Sequence, residues 1–258
     1  MTENWRIWDK DTEYGDLFYK RAIGELPEME SSKALAKVVK GLITEDDLIV
    51  DVGCGSGHYL RSLDSVISNR FKYYGFDQTA DYIKKATEAF ESKANENINR
   101  TETKFTVGDI YDLKMDDNSA EIVMCNNVLL HLPSIEKPIK ELIRISKKYV
   151  VIRMLLGVSS FRIKQIEAPE KYDESGEPLN FHYYNIYSEA YCRDILSAYP
   201  NMDIKIVDDN DYDPAAFGDS SNYISERPSD LTTTLNGIQL NEYVLQPWKF
   251  VILTVPGK

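Results

Sequence analysis

Residues 50–57 read VDVGCGSG, and this stretch decides how the chain folds. An apolar run from Leu48 to Val52 leads into a loop with glycines at positions 53, 55 and 57. The pattern predicts a buried strand, a tight turn and a helix, because glycine lets backbone N–H groups approach a polar ligand closely. A dinucleotide fingerprint, G-x-G-x-x-G, needs a third glycine where His58 stands. A nucleoside ligand of another kind is therefore expected.

The composition is that of a globular protein with an acidic surface. The 258 residues are 43% hydrophobic, which is enough for a packed core. Lys and Arg number 30 and Asp and Glu 42, so the net charge is −12 and a nucleic-acid partner is not expected. The three cysteines lack C-x-x-C spacing, which is typical of a reducing compartment and argues against a zinc cluster.

The chain shows no targeting or membrane segment. Its first residues are polar and acidic, unlike a signal peptide. The longest apolar stretch, Tyr149 to Val158, is short and contains Arg153, so no membrane span is predicted. We expect a cytoplasmic protein without a metal, and the oligomeric state is left open.

Strands alternate with helices as far as Met154, which predicts an α/β fold with a parallel sheet covered on both faces. The predicted strands are 48–52, 71–76, 104–107, 121–125, 149–154, 202–207 and 248–255. Two irregular, tyrosine-containing stretches interrupt the pattern at 157–187 and 208–244. Loops of this length are commonly lids or binding loops. We expect a single domain over 1–258, with a helical cap (1–45), a ligand-binding core (46–156), the two insertions as lids after strands five and six, and a final strand (245–258).

Polar residues follow four successive predicted strands. The glycine loop follows the first strand, Asp77 the second, Asp109 the third and Asn126 with Asn127 the fourth. Carboxyl ends of parallel strands share one edge of the sheet, where ligands bind. Asp77 lies about twenty residues beyond Gly57, the offset of an acid that binds ribose hydroxyls. A carboxylate suits a vicinal diol because it can accept two hydrogen bonds.

Four stretches carry a resemblance to a known family: VDVGCGSG, YYGFDQT, FTVGDIYDL and EIVMCNNVLLHLP. In order and spacing they resemble the motifs of class I S-adenosylmethionine-dependent methyltransferases, over residues 48–153. The resemblance implies a Rossmann-like, seven-stranded, mostly parallel sheet whose last strand is antiparallel. It also implies S-adenosyl-L-methionine as the cofactor.

The resemblance assigns residues to each end of that cofactor. Those at the methionine end would be Asp51, Gly53, Cys54, Gly55 and Asn126. Those at the adenosine end would be Asp77, Gln78, Asp109 and Ile110. Asp77 would hold both ribose hydroxyls and Asp109 would accept from the adenine amine. Without the resemblance, Asp109 is also explained as a turn or helix cap, and Asn126 as a loop residue.

Two residues are candidates for the chemistry. His131 could serve as a general base if the acceptor carries a proton at attack, or it could only pack or cap. Tyr19 could lie near the sulfonium, because many small-molecule methyltransferases close an N-terminal helix over the cofactor. An ordinary packing helix is the alternative there. The stretch FHYYNIY, which includes His182, could line a pocket for a cationic or sugar-like acceptor.

The leading hypothesis is methyl transfer to O or N of a small molecule, such as a sugar, an amine or another metabolite. CNNVLL stands where adenine- or glutamine-directed enzymes carry an Asn/Asp-Pro-Pro-Tyr motif, which argues against those substrates. One alternative is a protein that binds S-adenosylmethionine or S-adenosylhomocysteine as a sensor or partner subunit, without turnover. The other is an NAD(P)-dependent oxidoreductase, which the missing third glycine disfavours.

Overall fold

The polypeptide alternates strands and helices through most of its length. The computed structural model describes residues 6, 12–91, 95–210, 232–235, 238–241 and 244–256. Its helices are α1 (Thr12–Ile23), α2 (Glu30–Lys40), α3 (His58–Val66), α4 (Ala80–Glu91), α5 (Glu136–Ile145) and α6 (Glu189–Leu196). Its first strands are β1 (Asp47–Val52), β2 (Phe71–Asp77), β3 (Arg100–Val107), β4 (Ala120–Asn126) and β5 (Ser146–Gly157). The later strands are β6 (Lys164–Ile166), β7 (Phe181–Tyr183), β8 (Tyr187–Ser188), β9 (Asp203–Asp208), β10 (Thr232–Leu235), β11 (Ile238–Asn241), β12 (Val244–Gln246) and β13 (Trp248–Thr254).

Seven strands form the central sheet in the order β3-β2-β1-β4-β5-β13-β9. The β1 strand pairs in parallel with β2 and β4, and β13 lies antiparallel between β5 and β9. The predicted Rossmann-like sheet with an antiparallel last strand is therefore confirmed. The short β8 strand pairs with β5 and adds an eighth member that the sequence pattern did not predict.

Helices cover both faces of this sheet. Successive side chains of a strand point to opposite faces, so Val50 and Ile49 enter different cores. Val50 lies in a cluster with Leu142 of α5, whereas Ile49 lies in a cluster with Leu35 of α2 and Leu60 of α3. The next residue of β1 on the α2/α3 face is Asp51. This alternation therefore places a carboxylate among the apolar residues of one core.

The boundaries of exposed strands differ from the prediction, because the prediction relied on the pattern of buried apolar residues. The β3 strand begins at Arg100 rather than Lys104, because it lies at the sheet edge and most of its residues contact solvent. A strand exposed in this way lacks the apolar alternation that sequence patterns detect. The α6 helix begins with an N-cap, because the Ser188 hydroxyl accepts a hydrogen bond from the Tyr191 N–H at 3.1 Å.

The two stretches expected to be irregular contain short strands. Within 157–187, β6 and β7 pair antiparallel, and within 208–246, β10, β11 and β12 form a separate small sheet. The first stretch packs on the chain beyond β4, where Asn185 N donates to Leu130 O at 2.9 Å. Leu130, Leu155 and Ile186 form an apolar cluster there. The insertion therefore lies at the carboxyl ends of β4 and β5, and residues 211–231 of the second insertion lie outside the described residues.

None of the described helices combines the length and the apolar character needed to cross a membrane.

Candidate active site

The glycine loop, residues 53–57, connects β1 to α3. Its glycines have positive φ angles of 83°, 54° and 81°. A Cβ atom on Gly53 would lie 2.2 Å from Val128 Cγ2, closer than two carbon atoms can approach. The Gly53 N–H donates to the Phe76 carbonyl at 2.7 Å, which fixes the loop against the end of β2. Steric space and backbone geometry therefore both require glycine at position 53.

Cys54 contributes its main chain to this loop rather than its thiol. Its side chain is fully buried, and the Cys54 Sγ atom would lie 2.8 Å from a Cβ atom placed on Gly75 of β2. Burial raises the pKa of the thiol well above its usual range. The thiol is therefore protonated and packed on the sheet.

Asp77 fastens the loop to the end of β2. Its Oδ2 atom accepts from the Gly55 N–H at 2.9 Å, and its Oδ1 atom accepts from the Thr79 N–H at 2.9 Å. A carboxylate has about four acceptor positions, so these bonds are compatible with further bonds to a ligand. Gln78, the neighbouring residue, is exposed at the same strand end.

Asp51 is a buried carboxylate with one unsatisfied oxygen. Its Oδ2 atom accepts from the Tyr73 hydroxyl at 2.6 Å, while Oδ1 has no hydrogen-bond partner among the described residues. Burial raises the pKa of Asp51 to about 7; the Tyr73 bond opposes this shift and the charge of Asp77 adds to it. The group therefore changes its charge near neutral pH.

Asn126 is the second buried side chain without partners. It is 4% exposed, and neither its amide oxygen nor its amide nitrogen has a hydrogen-bond partner among the described residues. Asp51 pairs with Met124 in the parallel register, so Asn126, two residues further, points to the same face as Asp51. Unsatisfied buried polar atoms are costly. Together they match a ligand that carries both an ammonium and a carboxylate group.

Asp109 forms a turn beyond β3. Its Oδ1 atom accepts from the Tyr111 N–H at 2.9 Å, and its carbonyl accepts from the Asp112 N–H at 3.0 Å. The neighbouring Gly108 N–H donates to the Asp77 carbonyl at 2.9 Å, which brings this turn beside the end of β2. Ile110 is 8% exposed and packs into the core. Asp109 therefore has the turn role of the alternative interpretation, and its contact with adenine stays a prediction.

Helix α1 lies directly over the glycine loop. The Ser56 hydroxyl donates to the Gly15 carbonyl at 3.0 Å. The Phe18 ring stacks on the His58 ring with centroids 4.1 Å apart, and Tyr14 meets Phe18 edge-on at 4.3 Å. Burial, with a smaller effect of Arg21, lowers the pKa of His58 to about 3, so its ring is neutral. The N-terminal helix thus covers the loop with aromatic side chains.

Tyr19, the tyrosine predicted from the sequence, does not contact the Phe18 ring in the way that Tyr14 does. Tyr14 and Phe18 are four positions apart and share a helix face, whereas Tyr19 lies on a different face and is half-buried. The spacing of Tyr14 and Phe18 was a signal available in the sequence. A role for Tyr19 at the reaction centre stays a prediction.

Arg153 of β5 is a buried cation that sequence analysis did not assign to the site. It is 5% exposed and pairs with Asn126 in the β4–β5 register. Its Nε donates to Asp209 Oδ2 at 2.6 Å, and its Nη1 donates to Asn127 Oδ1 at 2.6 Å. The guanidinium lies 4.0 Å from the centroid of the Trp248 ring. The presence of a charged residue within the most apolar strand was the feature of the sequence that could have indicated this role.

Asn127 connects this arginine to the helices above the sheet. It adopts a positive φ of 59°, which asparagine tolerates better than most residues. Its Nδ2 donates to the Tyr59 hydroxyl of α3 at 3.1 Å, and Tyr59 in turn contacts the Ser31 hydroxyl of α2 at 3.4 Å. A polar network therefore extends from α2 to β5 beside the cofactor loop.

His131 is held by the insertion 157–187. Its Nδ1 lies 2.8 Å from the Tyr183 carbonyl, which can only accept, so Nδ1 carries a hydrogen. The His131 ring is 5.9 Å from that of His182, whose Nδ1 lies 2.6 Å from Glu167 Oε1. This geometry suits both a base and a packing residue. The catalytic role of His131 stays a prediction.

The described residues contain no cluster of three or more His, Cys, Asp or Glu side chains able to hold a metal ion.

Comparison with known proteins identifies the family. The profile of the methyltransferase domain family matches residues 43–191, more than half of the chain. This chain belongs to the class I S-adenosylmethionine-dependent methyltransferase family. The predicted family and the predicted cofactor, S-adenosyl-L-methionine, are therefore confirmed.

Individual relatives are distant from this methyltransferase. An uncharacterized methyltransferase of Schizosaccharomyces pombe is 32% identical over 108 residues, which are 41% of this chain and 38% of that protein. The match thus spans well under half of the relative. A methyltransferase structure from Methanosarcina mazei superposes with a TM-score of 0.57 at 17% identity, covering 86% of this chain and 98% of the other.

A further structural relative shows that this fold does not decide the reaction. The cyclase SpnF superposes with a TM-score of 0.56 at 14% identity, covering 88% of this chain and 81% of the other. At such identities the likeness concerns the fold alone. Function must therefore be argued from the site.

Proposed function

We propose that this methyltransferase moves the methyl group of S-adenosylmethionine to an oxygen or nitrogen of a small molecule, such as a sugar, an amine or another metabolite. The main support is the pair of buried side chains Asp51 and Asn126, whose unsatisfied atoms lie at the ends of β1 and β4. The amino acid end of the cofactor carries the complementary ammonium and carboxylate groups. The nicotinamide alternative is not retained, because the chain belongs to a methyltransferase family.

We assign the remaining cofactor contacts to the neighbouring strand ends. Gly53, Cys54 and Gly55 would present their backbone to the methionine part. Asp77 with Gln78 would bind the ribose, and this agrees with the carboxylate of Asp77 lying between the glycine loop and Thr79. Asp109 and Ile110 would lie beside the adenine, which agrees with the bond between Gly108 and Asp77.

The bound cofactor supplies an electrophilic methyl group on a positively charged sulfur. An acceptor lone pair forms the new bond to carbon while the carbon–sulfur bond electrons remain on sulfur, which leaves S-adenosylhomocysteine. The protein contributes mainly position and exclusion of water. Helix α1 covers the loop through Phe18, and His131 Nε2 would take the acceptor proton where one must leave.

A small acceptor is favoured by what surrounds the site. Helix α1 covers the glycine loop, and the insertion 157–187 packs beyond β4 through Asn185. The net charge of −12 opposes a nucleic-acid backbone. These features favour a metabolite over a polymer.

Binding tests the cofactor assignment. Titration calorimetry should show that S-adenosylhomocysteine binds the parent and that Asp77→Ala weakens binding by about tenfold to a hundredfold, since bonds to a charged acceptor are strong. The matched control is Asp112→Ala, because Asp112 is an exposed carboxylate paired with Lys114. It should bind like the parent. Equal affinity of Asp77→Ala and the parent would refute the ribose assignment.

Turnover tests the reaction. The parent, incubated with methyl-labelled S-adenosylmethionine and a panel of sugars, amines, phenols and carboxylic acids, should yield a labelled product. Tight binding without any product across the panel would instead support a sensor or partner subunit. A folded parent that fails to bind S-adenosylhomocysteine would refute the proposal altogether.

A further inference from the structure

Arg153 occupies the place next to the cofactor residues on the same face of the sheet. It pairs with Asn126 in the β4–β5 register, and neighbouring strands lie about 4.8 Å apart. Asn126 and Arg153 therefore lie side by side on the α2/α3 face, and Asp51, which is level with Met124, lies on the same face two residues nearer the start of the strands. Of these three residues, Arg153 is the one on the β5 side.

The guanidinium of Arg153 has donors that the protein does not use. Arginine carries five N–H groups, of which Nε serves Asp209 and Nη1 serves Asn127. Nη2 has no acceptor among the described residues. The ring of Trp248 supports the guanidinium from one side, and the whole residue is only 5% exposed. Such a buried and immobilised donor is prepared for an oxygen ligand.

Tyr184 provides a second unused donor near the same tryptophan. Its hydroxyl oxygen accepts from Gln246 Nε2, and the orientation of that amide is set because Gln246 Oε1 accepts from Trp248 Nε1 at 3.2 Å. The hydrogen of the Tyr184 hydroxyl has no acceptor among the described residues. Burial raises the pKa of Tyr184, while the charge of Arg153 acts in the opposite direction, so the hydroxyl remains a donor at neutral pH.

These donors select the charge of their ligand. Neither Nη2 of Arg153 nor the Tyr184 hydroxyl hydrogen can accept a hydrogen bond from an ammonium group. A carboxylate can accept one charge-assisted bond from Arg153 and one neutral bond from Tyr184. Asp209 already balances the charge of Arg153. A dianionic phosphate would therefore add two negative charges to a buried, already neutral pair, whereas a carboxylate adds only one, which makes the carboxylate the less costly ligand.

We propose that Arg153 and Tyr184 bind a carboxylate group of the methyl acceptor. This inference rests on the proposed function, and it narrows the acceptor class to small carboxylic acids. Trp248 positions both donors, since its ring supports Arg153 and its indole N–H orients Gln246.

Matched ligand pairs test the inference in the full-length protein saturated with S-adenosylhomocysteine. The probes are acetate, succinate, 4-hydroxybenzoate and 3-phenylpropanoate, each compared with its amide by titration calorimetry and ligand-observed NMR. At least one acid should bind the parent about tenfold or more tightly than its amide, as a bond to a charged group implies. Arg153→Gln should abolish this preference and keep the affinity for S-adenosylhomocysteine within about threefold.

Further variants separate binding from folding. Arg153→Gln combined with Asp209→Asn leaves no unpaired buried charge, and Tyr184→Phe removes one donor without changing charge. Both should reduce the preference for acids. The control is Arg162→Gln, since Arg162 contacts the Tyr183 ring and the Pro133 carbonyl near the same insertion and should not matter.

The outcomes distinguish this inference from the proposed function. Equal or undetectable binding of acids and amides to the parent overturns the inference, as does an unchanged preference in the Arg153 and Tyr184 variants. Either result leaves S-adenosylhomocysteine binding intact. Failure of the folded parent to bind S-adenosylhomocysteine would instead overturn the proposed function.

Discussion

At Gly53 two separate demands exclude a side chain. The residue adopts a φ of 83°, and a Cβ atom would collide with Val128. Gly176 adopts a φ of 84° with no atom within 4 Å of its Cβ position, so it shares only the first demand. The two glycines therefore allow backbone strain and collision to be measured separately.

We expect Gly176→Ala to lower the free energy of unfolding by about 1–2 kcal/mol, the cost of a left-handed alanine. Gly53→Ala should cost more and should also weaken S-adenosylhomocysteine binding by tenfold or so, because the loop must move away from Val128. Urea unfolding and calorimetry measure the two effects. Equal losses of stability in both variants, with unchanged affinity, would contradict the steric argument.

Cofactor binding should be coupled to loss of a proton from the Asp51 carboxyl group. Its folded pKa of about 7 lies above the unfolded value near 3.8, so between these values the folded state holds a proton that the unfolded chain has lost. The stability of the ligand-free protein should therefore fall as the pH rises through this range. An ammonium group placed against Asp51 favours its ionised form and releases the proton.

Calorimetry in buffers of different ionisation enthalpy measures this release. S-adenosylhomocysteine binding should release up to about one proton per site at a pH near 6 and almost none near 8. Asp51→Asn should abolish the release. Asp64→Asn serves as the control, because burial raises the pKa of Asp64 to about 6 although it pairs with Arg100 at the far end of α3. Proton release that survives in Asp51→Asn would exclude the assigned contact.

At the scale of elements, α1 acts as a cover that ring packing and a few polar contacts hold in place. Its contacts with the loop are the stack of Phe18 on His58 and the bond from Ser56 to Gly15. The stack keeps water from His58 and contributes to the burial that lowers its pKa to about 3. The pKa of His58 therefore reports whether α1 is packed over the glycine loop.

Phe18→Ala should raise the pKa of His58 towards the ordinary value near 6.5, because water reaches the ring. It should also accelerate dissociation of S-adenosylhomocysteine by about tenfold through the loss of the cover. NMR titration suits the first measurement, since the chain has three histidines. Phe161→Ala is the control, as Phe161 is 56% exposed. A His58 pKa unchanged by Phe18→Ala would show that α1 does not shield the ring.

Helices and strands could be predicted from the sequence where one of their faces is buried, because burial gives their apolar residues a regular spacing. The strands β1 and β5 bury apolar residues along most of their length, and both were found near their predicted places. The edge strand β3 is partly exposed and the short β6 strand is exposed, so their sequences carry little alternation, and β7 is buried but only three residues long. Their pairing depends on neighbours that are distant in the chain, which no local pattern encodes.

At the scale of the whole molecule, topology creates the acceptor side of the site. Asp77 and Asn126 could be identified from the sequence because each follows an apolar run, and the family resemblance added Asp51 within the first run. Arg153 and Trp248 meet only because β13 inserts antiparallel between β5 and β9. That contact joins residues 95 positions apart, a separation that follows from their numbers in the chain. The acceptor contacts were therefore beyond local pattern analysis.

Cofactor binding should also appear as stability of the whole chain. A ligand that binds only the folded state, present at about 100 times its dissociation constant, adds about 2.7 kcal/mol. For a chain of this size that amount corresponds to a rise of roughly 5–10 °C in the midpoint of thermal unfolding. S-adenosylhomocysteine should produce this shift in the parent and NAD should not. The shift should shrink in Asp77→Ala and persist in Asp112→Ala, whose exposed carboxylate lies outside the loop network. A comparable shift with NAD would contradict the preference that the missing third glycine predicts, because the two ligands share the adenosine group and differ in what the glycine loop must accommodate.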